Sequence, residues 1–211
     1  MKDFGLYVVM TNPVVGYAKC AEAAVKAGVK IIQLRMKRVP REEILREARE
    51  VRKATRGTDT LFIVNDSPEI AAEVEADGVH VGQDDMKPAD IRANFPELSV
   101  IGLSTHNPIQ TMASRNEPVD YIGVGPVYST PTKEIPDPTL GLAIMRQMID
   151  ISACPAVAIG GIDAIRLNEV AKAGAKNIAV VRAVCGSPKP YEEIVKLNEI
   201  INGFFKFPPS L

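Results

Sequence analysis

Residues 61–85, LFIVNDSPEIAAEVEADGVHVGQDD, carry the pattern that decides the fold. Residues 61–64 form a short apolar run with Phe, Ile and Val, the composition of a parallel strand buried on both faces. The run stops at Asn65 and Asp66. Residues 69–76 read as a short helix, with Ser67 at its N-cap and Pro68 in its first turn. A second apolar run, 78–81, stops at Gly82, Gln83, Asp84 and Asp85. A right-handed strand–helix–strand unit brings both C-terminal strand ends to one edge of the sheet. Asp66 therefore faces Asp84 or Asp85 across neighbouring strands. Two carboxylates at such an edge suit Mg²⁺, which takes one or two carboxylates, several waters and substrate phosphates.

The same alternation runs outward in both directions. Further strands are expected at 6–10, 29–34, 99–103, 121–124, 156–159 and 177–181. Helices are expected at 16–27, 41–55, 88–94, 108–115, 140–149, 167–173 and 191–204. The Glu and Arg residues of 41–55 pair at neighbouring turns and read as a solvated face. Eight strand–helix repeats with short connections predict a closed (β/α)₈ TIM barrel, one domain over residues 1–211. One connection is long: 125–139, with Pro126, Pro131, Pro136 and Pro138, the kind of loop that often serves as a lid. The tail FFKFPPSL is expected to pack down, with an oligomer contact as the alternative use.

Composition narrows the function. The chain has 211 residues, 46% hydrophobic and 24% charged, enough for one sizeable core. A formal net charge of −1 gives no broad attraction to nucleic acid. Cys20, Cys154 and Cys185 lie far apart with no CxxC spacing, which argues against a zinc site or disulfide framework. No apolar run approaches a membrane span and no leader pattern opens the chain, so a cytoplasmic protein without membrane contact is expected. Nothing in the pattern specifies an oligomeric state.

In such a barrel the chemistry sits at the C-terminal ends of the strands. Alternation in QLRMK puts Gln33, Arg35 and Lys37 on one side if the second strand continues. Asn65, Asp66, Gln83 and Asp85 follow the third and fourth strands, and Ser104 and His106 the fifth. The sixth leads into Gly125, Thr130, Thr132 and Lys133, the seventh into Gly160 and Gly161, and the eighth into Val180, Val181 and Arg182. Cations, hydroxyls and carboxylates thus share one rim, as a polyanionic substrate bridged by a metal requires. Backbone amides after strands seven and eight form a second anion site, for a phosphate. His106 is an acid–base candidate by type, whereas His80, inside a strand, reads as a hydrogen-bonded core histidine.

These residues resemble the thiamine-phosphate synthase family over essentially the whole chain. The likeness rests on Gln33-Leu34-Arg35-Met36-Lys37, Asn65-Asp66, Gly82-Gln83-Asp84-Asp85, Thr130-Pro131-Thr132-Lys133, Ser104 and the Ile-Gly-Gly-Ile of 159–162. The resemblance implies a transferase that joins hydroxymethylpyrimidine diphosphate to hydroxyethylthiazole phosphate and releases diphosphate. It implies that Asp66 and Asp85 hold Mg²⁺, and that Arg35, Lys37, Asn65 and Lys133 bind the diphosphate. By the same likeness, Gln33 and Ser104 position the pyrimidine or its diphosphate. Thr130, Pro131, Thr132, Gly160, Val180 and Val181 would line the thiazole phosphate site, and Leu34 and Met36 would count among the substrate-binding residues. The family usually has Glu where this chain has Met36, and a small residue where it has Arg182. A thiazole tautomerase of the same barrel family shares Ser104-Thr105-His106 but needs no metal pair, so Asp66, Asp85 and Thr132-Lys133 argue for the transferase. A precursor-binding paralogue without catalysis rests on Met36 and Arg182 alone.

Overall fold

The computed structural model describes residues 3–130 and 138–206, the last two by backbone alone. Eight parallel strands close into a barrel in sequence order: β1 Leu6–Met10, β2 Ile31–Leu34, β3 Leu61–Asn65, β4 Gly78–Val81, β5 Val100–Thr105, β6 Tyr121–Val124, β7 Ala156–Ala158 and β8 Asn177–Val180. Pairing of β8 with β1, Ile178 opposite Leu6 and Val180 opposite Val8, completes the ring. Around it lie α1 Tyr17–Lys26, α2 Arg41–Thr55, α3 Pro68–Glu73, α4 Pro88–Asn94, α5 Pro108–Ala113, α6 Gly141–Ile151, α7 Ala164–Lys172, α8 Arg182–Cys185 and α9 Pro190–Lys206. The predicted barrel is therefore the observed fold.

Two apolar layers follow from the two-residue period of the strands. Outward residues, such as Val8, Ile32, Phe62, Val64, Val79, Ile101 and Ile122, pack beneath the helices in the larger core. Inward residues, among them Tyr7, Val9, Ile31, Ile63, Val100, Tyr121, Val157 and Ala179, fill the barrel axis. Burying a large aliphatic side chain contributes about 1.5–3 kcal/mol. Both layers together thus supply the main folding drive, and neither strand face is left to water.

Differences from the expected boundaries have local causes. Helix α7 starts earlier than expected because Asp163 caps it, accepting from the amides of Ile165 and Arg166. The one-turn helix α8 was not legible; it is held by its ties to the β1–α1 loop, where Val14 N donates to Cys185 O at 2.9 Å. The α2 face is also not simply solvated. Arg41 and Arg49 both reach Glu73 on α3, at 2.5 and 2.9 Å, Arg56 pairs with Glu75, and Arg52 reaches Asp77 at 3.2 Å.

Asp77 shows how the lower, N-terminal face is stitched. Its Oδ2 also accepts from Phe62 N at 2.8 Å, joining α2, β3 and the start of β4. Asp120 repeats the arrangement two units on, accepting from Ile101 N at 2.7 Å while pairing with Arg92 of α4. Among the described residues, no helix is long and apolar enough to cross a membrane.

Candidate active site

The inward register continues past the strand ends, and this builds the site. Ile31 and Gln33 lead to Arg35 and Lys37; Ile63 leads to Asn65; His80 leads to Gly82; Ser104 leads to His106. These residues, except Ile31 and Ile63, line a cavity of about 240 Å³ at the C-terminal end of the barrel. Its wall is completed by Val9, Val157, Ile159, Ala179 and Val181, so a polar half faces an apolar one.

The carboxylates meet on the polar half. Asp66 follows β3 with φ +64°, a left-handed conformation that Asp tolerates better than most residues. Its amide donates to His80 O at 2.8 Å, fixing the turn to β4. The second carboxylate is Asp85 and not Asp84. Asp85 Oδ2 accepts from Gly82 N at 2.7 Å, which folds its side chain back onto the end of β4 while Asp84 stays exposed. Gln83 turns the other way, its Nε2 donating to Ser104 O at 2.6 Å, and ties β4 to β5.

Burial pushes the Asp66 carboxyl above the ordinary carboxylate range; Lys37, in direct contact with it, opposes the shift, and neighbouring Asp85 adds to it. Arg35 lies alongside, its guanidinium lowered by burial and supported by Asp66. The Asn65 amide nitrogen is buried and has no hydrogen-bond acceptor among the described residues, a donor costly to leave without a ligand. Two adjacent carboxylates, two cations and an unsatisfied amide fit a small hard cation carrying phosphate oxygens. No cluster of three or more metal-binding side chains occurs among the described residues, which such a substrate-bridged ion does not need.

The floor is a chain of polar side chains that the sequence reading missed. Gln33 Nε2 donates to Tyr7 Oη at 2.8 Å, and Tyr7 Oη lies 2.8 Å from Tyr121 Oη. Tyr121 Oη is 3.0 Å from His80 Nδ1, and His80 Nε2 is 2.9 Å from Ser104 Oγ. Burial raises both phenols above their ordinary range, so they remain neutral donors. Gly102 makes the chain possible: a Cβ there would lie 2.2 Å from Tyr121 Cζ and 2.4 Å from His80 Nδ1. The sequence reading did not single out Tyr7 or Tyr121; the inward period of β1 and β6 is the signal that points to them, and closure of the ring brings them together. His80 is hydrogen-bonded, as expected, yet it also lines the cavity. His106 Nδ1 lies 2.7 Å from Gly125 O, at the cavity edge.

Opposite the carboxylates, Gly160 and Gly161 adopt φ +107° and +65°. A Cβ on Gly160 would lie 2.5 Å from Pro126 Cα, and one on Gly161 2.7 Å from Ser129 O, so the loop after β6 packs where side chains would stand. Gly160, Gly161, Val181, Arg182 and Thr130 line the cavity together. Leu34 and Val180 do not: their side chains are buried in the outer core, with Met36 packed against it. These three can offer a ligand backbone only, because alternation turns them away from the axis. Pro131, Thr132 and Lys133 lie outside the described residues.

The model of the thiamine monophosphate synthase family matches residues 6–184. The chain belongs to that family. It is 38% identical over 208 residues to the thiamine-phosphate synthase of Dictyoglomus turgidum, covering 97% of this chain and 93% of the relative. It is 40% identical over 179 residues to that of Pelotomaculum thermopropionicum, covering 84% and 82%. Its fold is similar to the solved thiamine phosphate pyrophosphorylase of Pyrococcus furiosus, with a TM-score of 0.87 and 30% identity over 95% of this chain and 96% of that one. The chain is an enzyme of the transferase class.

Proposed function

We propose that the cavity joins a hydroxymethylpyrimidine diphosphate to a hydroxyethylthiazole phosphate, releasing diphosphate. The observation that carries this reading is the division of one cavity into a carboxylate–cation half and a glycine-turn half, because the two substrates bring two separate anions. Its named relatives are thiamine-phosphate synthases.

Arg35, Lys37 and Asn65, with Lys133 from the loop, hold the diphosphate. Asp66 and Asp85 would hold Mg²⁺, which would supply positive charge to neutralise a departing diphosphate. As the bond to the pyrimidine methylene breaks, the leaving group gains negative charge. Cations already fixed in place then stabilise the transition state more than the ground state. Ser104, held by His80, and Gln33, held by Tyr7, orient the pyrimidine over the floor. Their donors are committed before substrate arrives, so little reorganisation accompanies reaction. The electron-poor methylene meets the thiazole nitrogen, whose phosphate is anchored at Gly160, Gly161 and Val181. The apolar wall keeps water from intercepting the cation. No side chain is required as a covalent nucleophile.

The test is coupling of the two phosphorylated halves by purified protein, with and without Mg²⁺. Equal release of thiamine phosphate and diphosphate only with the metal supports the reading. Isomerisation of a carboxythiazole phosphate without Mg²⁺ and without coupling would replace it by a tautomerase.

A further inference from the structure

The loop after β7 is held by a clamp that touches no reacting atom. Three consecutive carbonyls there are each taken by a donor outside the cavity. Ile159 O accepts from Val127 N at 2.9 Å, Gly160 O from Tyr128 N at 3.0 Å, and Gly161 O from Arg166 Nη1 at 2.8 Å. In a trans peptide the N–H points opposite to the C=O. The amides of Gly160, Gly161 and Ile162 therefore turn away from the β6 loop and α7, toward the cavity that these residues line. They find no acceptor among the described residues.

Two of the three tethers are backbone bonds that any sequence supplies. The third depends on one side chain. Arg166 stands on the first turn of α7, which Asp163 caps. Its guanidinium stacks over the Tyr128 ring, 4.7 Å from the centroid, while Tyr128 Oη donates to Glu169 at 2.7 Å. Glu169 lies three residues along the same helix. Ring, guanidinium and carboxylate thus brace one another, and the tyrosine belongs to the segment leading to Thr130.

We propose that Arg166 is a positioning residue for the phosphate-binding turn, fixing the Gly161–Ile162 peptide so that its amide meets an anion and coupling that turn to the loop after β6 through Tyr128. The inference rests on the reading of this turn as the thiazole phosphate site, and goes beyond it by assigning its geometry to a residue outside the cavity. Free of Arg166, the peptide can rotate, since glycine accepts many conformations, and the preorganised donor is lost.

Arg166→Ala, Arg166→Lys and Arg166→Gln test this in the full chain, by two measurements. One is amide NMR of Gly161 and Ile162 during titration with inorganic phosphate; the other is steady-state coupling with each substrate varied in turn. Arg166→Ala is expected to weaken phosphate binding at these amides roughly tenfold, as for a lost charge-assisted hydrogen bond. KM for the thiazole phosphate should rise alike, with kcat and KM for the pyrimidine diphosphate within about twofold of wild type. Lysine, which still donates to Gly161 O, should recover part of the loss. Glutamine, which keeps a stem without charge, should not. Equal damage to both KM values, or wild-type behaviour of Arg166→Ala, would overturn the proposal. If wild type does not couple the substrates yet its amides bind phosphate in an Arg166-dependent way, the clamp stands and the substrate assignment falls. If phosphate leaves the wild-type amides unmoved, the clamp has no anion to serve and is refuted.

Discussion

Replacing Asp66 by Asn separates what the carboxylate costs the fold from what it gives the chemistry. Asn is nearly isosteric and also tolerates the φ of +64° found here, so backbone strain is not the variable. In the free protein, burial raises the Asp66 carboxyl above its unfolded value despite contact with Lys37. A carboxyl raised on folding favours the folded state while protonated. That advantage is lost as pH climbs from the ordinary carboxylate value through the raised one. At neutral pH the ionised group is therefore a net cost, and Asp66→Asn should melt at or above the wild-type temperature without metal. With Mg²⁺ and substrate the sign reverses. Breaking a largely desolvated charge pair costs roughly 3–5 kcal/mol, so kcat/KM should fall about 10²–10³-fold or more. Mg²⁺ should raise the melting temperature of wild type and not of the variant. Thermal melts with and without Mg²⁺, beside coupling rates, read both halves. A variant within a few-fold of wild type in kcat/KM would remove Asp66 from the mechanism. A variant melting well below wild type would refute the burial argument.

Other outcomes follow from the same geometry. Because Asp66 must ionise to hold a cation, Mg²⁺ affinity should decline as pH falls through a value above the ordinary carboxylate range; Mg²⁺ titrations at several pH values check this. Asp120→Ala removes the acceptor of Ile101 N and the partner of Arg92, at about 2 kcal/mol, and should lower the melting temperature by roughly 4–8 °C. Coupling per folded molecule should not change, since Asp120 lies at the opposite end of the barrel. Gly102→Ala places a methyl against Tyr121 and His80, so pyrimidine diphosphate KM should rise as Ser104 loses its support, read by steady-state kinetics. Lys133→Ala should cost about as much as Asp66→Asn if the loop delivers that charge to the diphosphate; unchanged kinetics would make the loop a spectator.

The barrel was legible because its information is periodic. Parallel strands buried on both faces read as unbroken apolar runs, and 121–124, 78–81 and 41–55 were placed with the observed bounds. The rim was legible for a related reason: polarity changes abruptly where a strand leaves the core, as at Val64 to Asn65. Alternation put Gln33, Arg35 and Lys37 on one side, and they line the cavity; Leu34 and Met36, expected among the substrate-binding residues from the resemblance, turn away from it. What stayed hidden were contacts made by ring closure. Tyr7 and Tyr121 are 114 positions apart and meet only when eight strands curl round. Residue type and spacing left Asp84 and Asp85 open; the family resemblance named Asp85, and it is Asp85 that the bond from Gly82 N folds back onto the cavity rim.

If the proposed reaction runs through a pyrimidine cation, these hidden contacts bear on how so small a cavity would handle it. A site that stabilises a leaving diphosphate needs concentrated positive charge, yet the cationic pyrimidine fragment left behind must not face that charge alone. The aromatic floor resolves the conflict. Tyr7 and Tyr121 stay neutral because burial disfavours their phenolates, so the floor sets no fixed charge of either sign beneath that fragment. Their hydroxyls, meanwhile, are held in place by hydrogen bonds to Gln33 and His80. Arg35, Lys37 and Asp66 stand on the loops after β2 and β3, whereas the Gly160–Gly161 turn stands across the ring after β7. In the proposed reaction the departing diphosphate and the incoming phosphate would thus be held on opposite sides of one axis, with the cationic methylene between them.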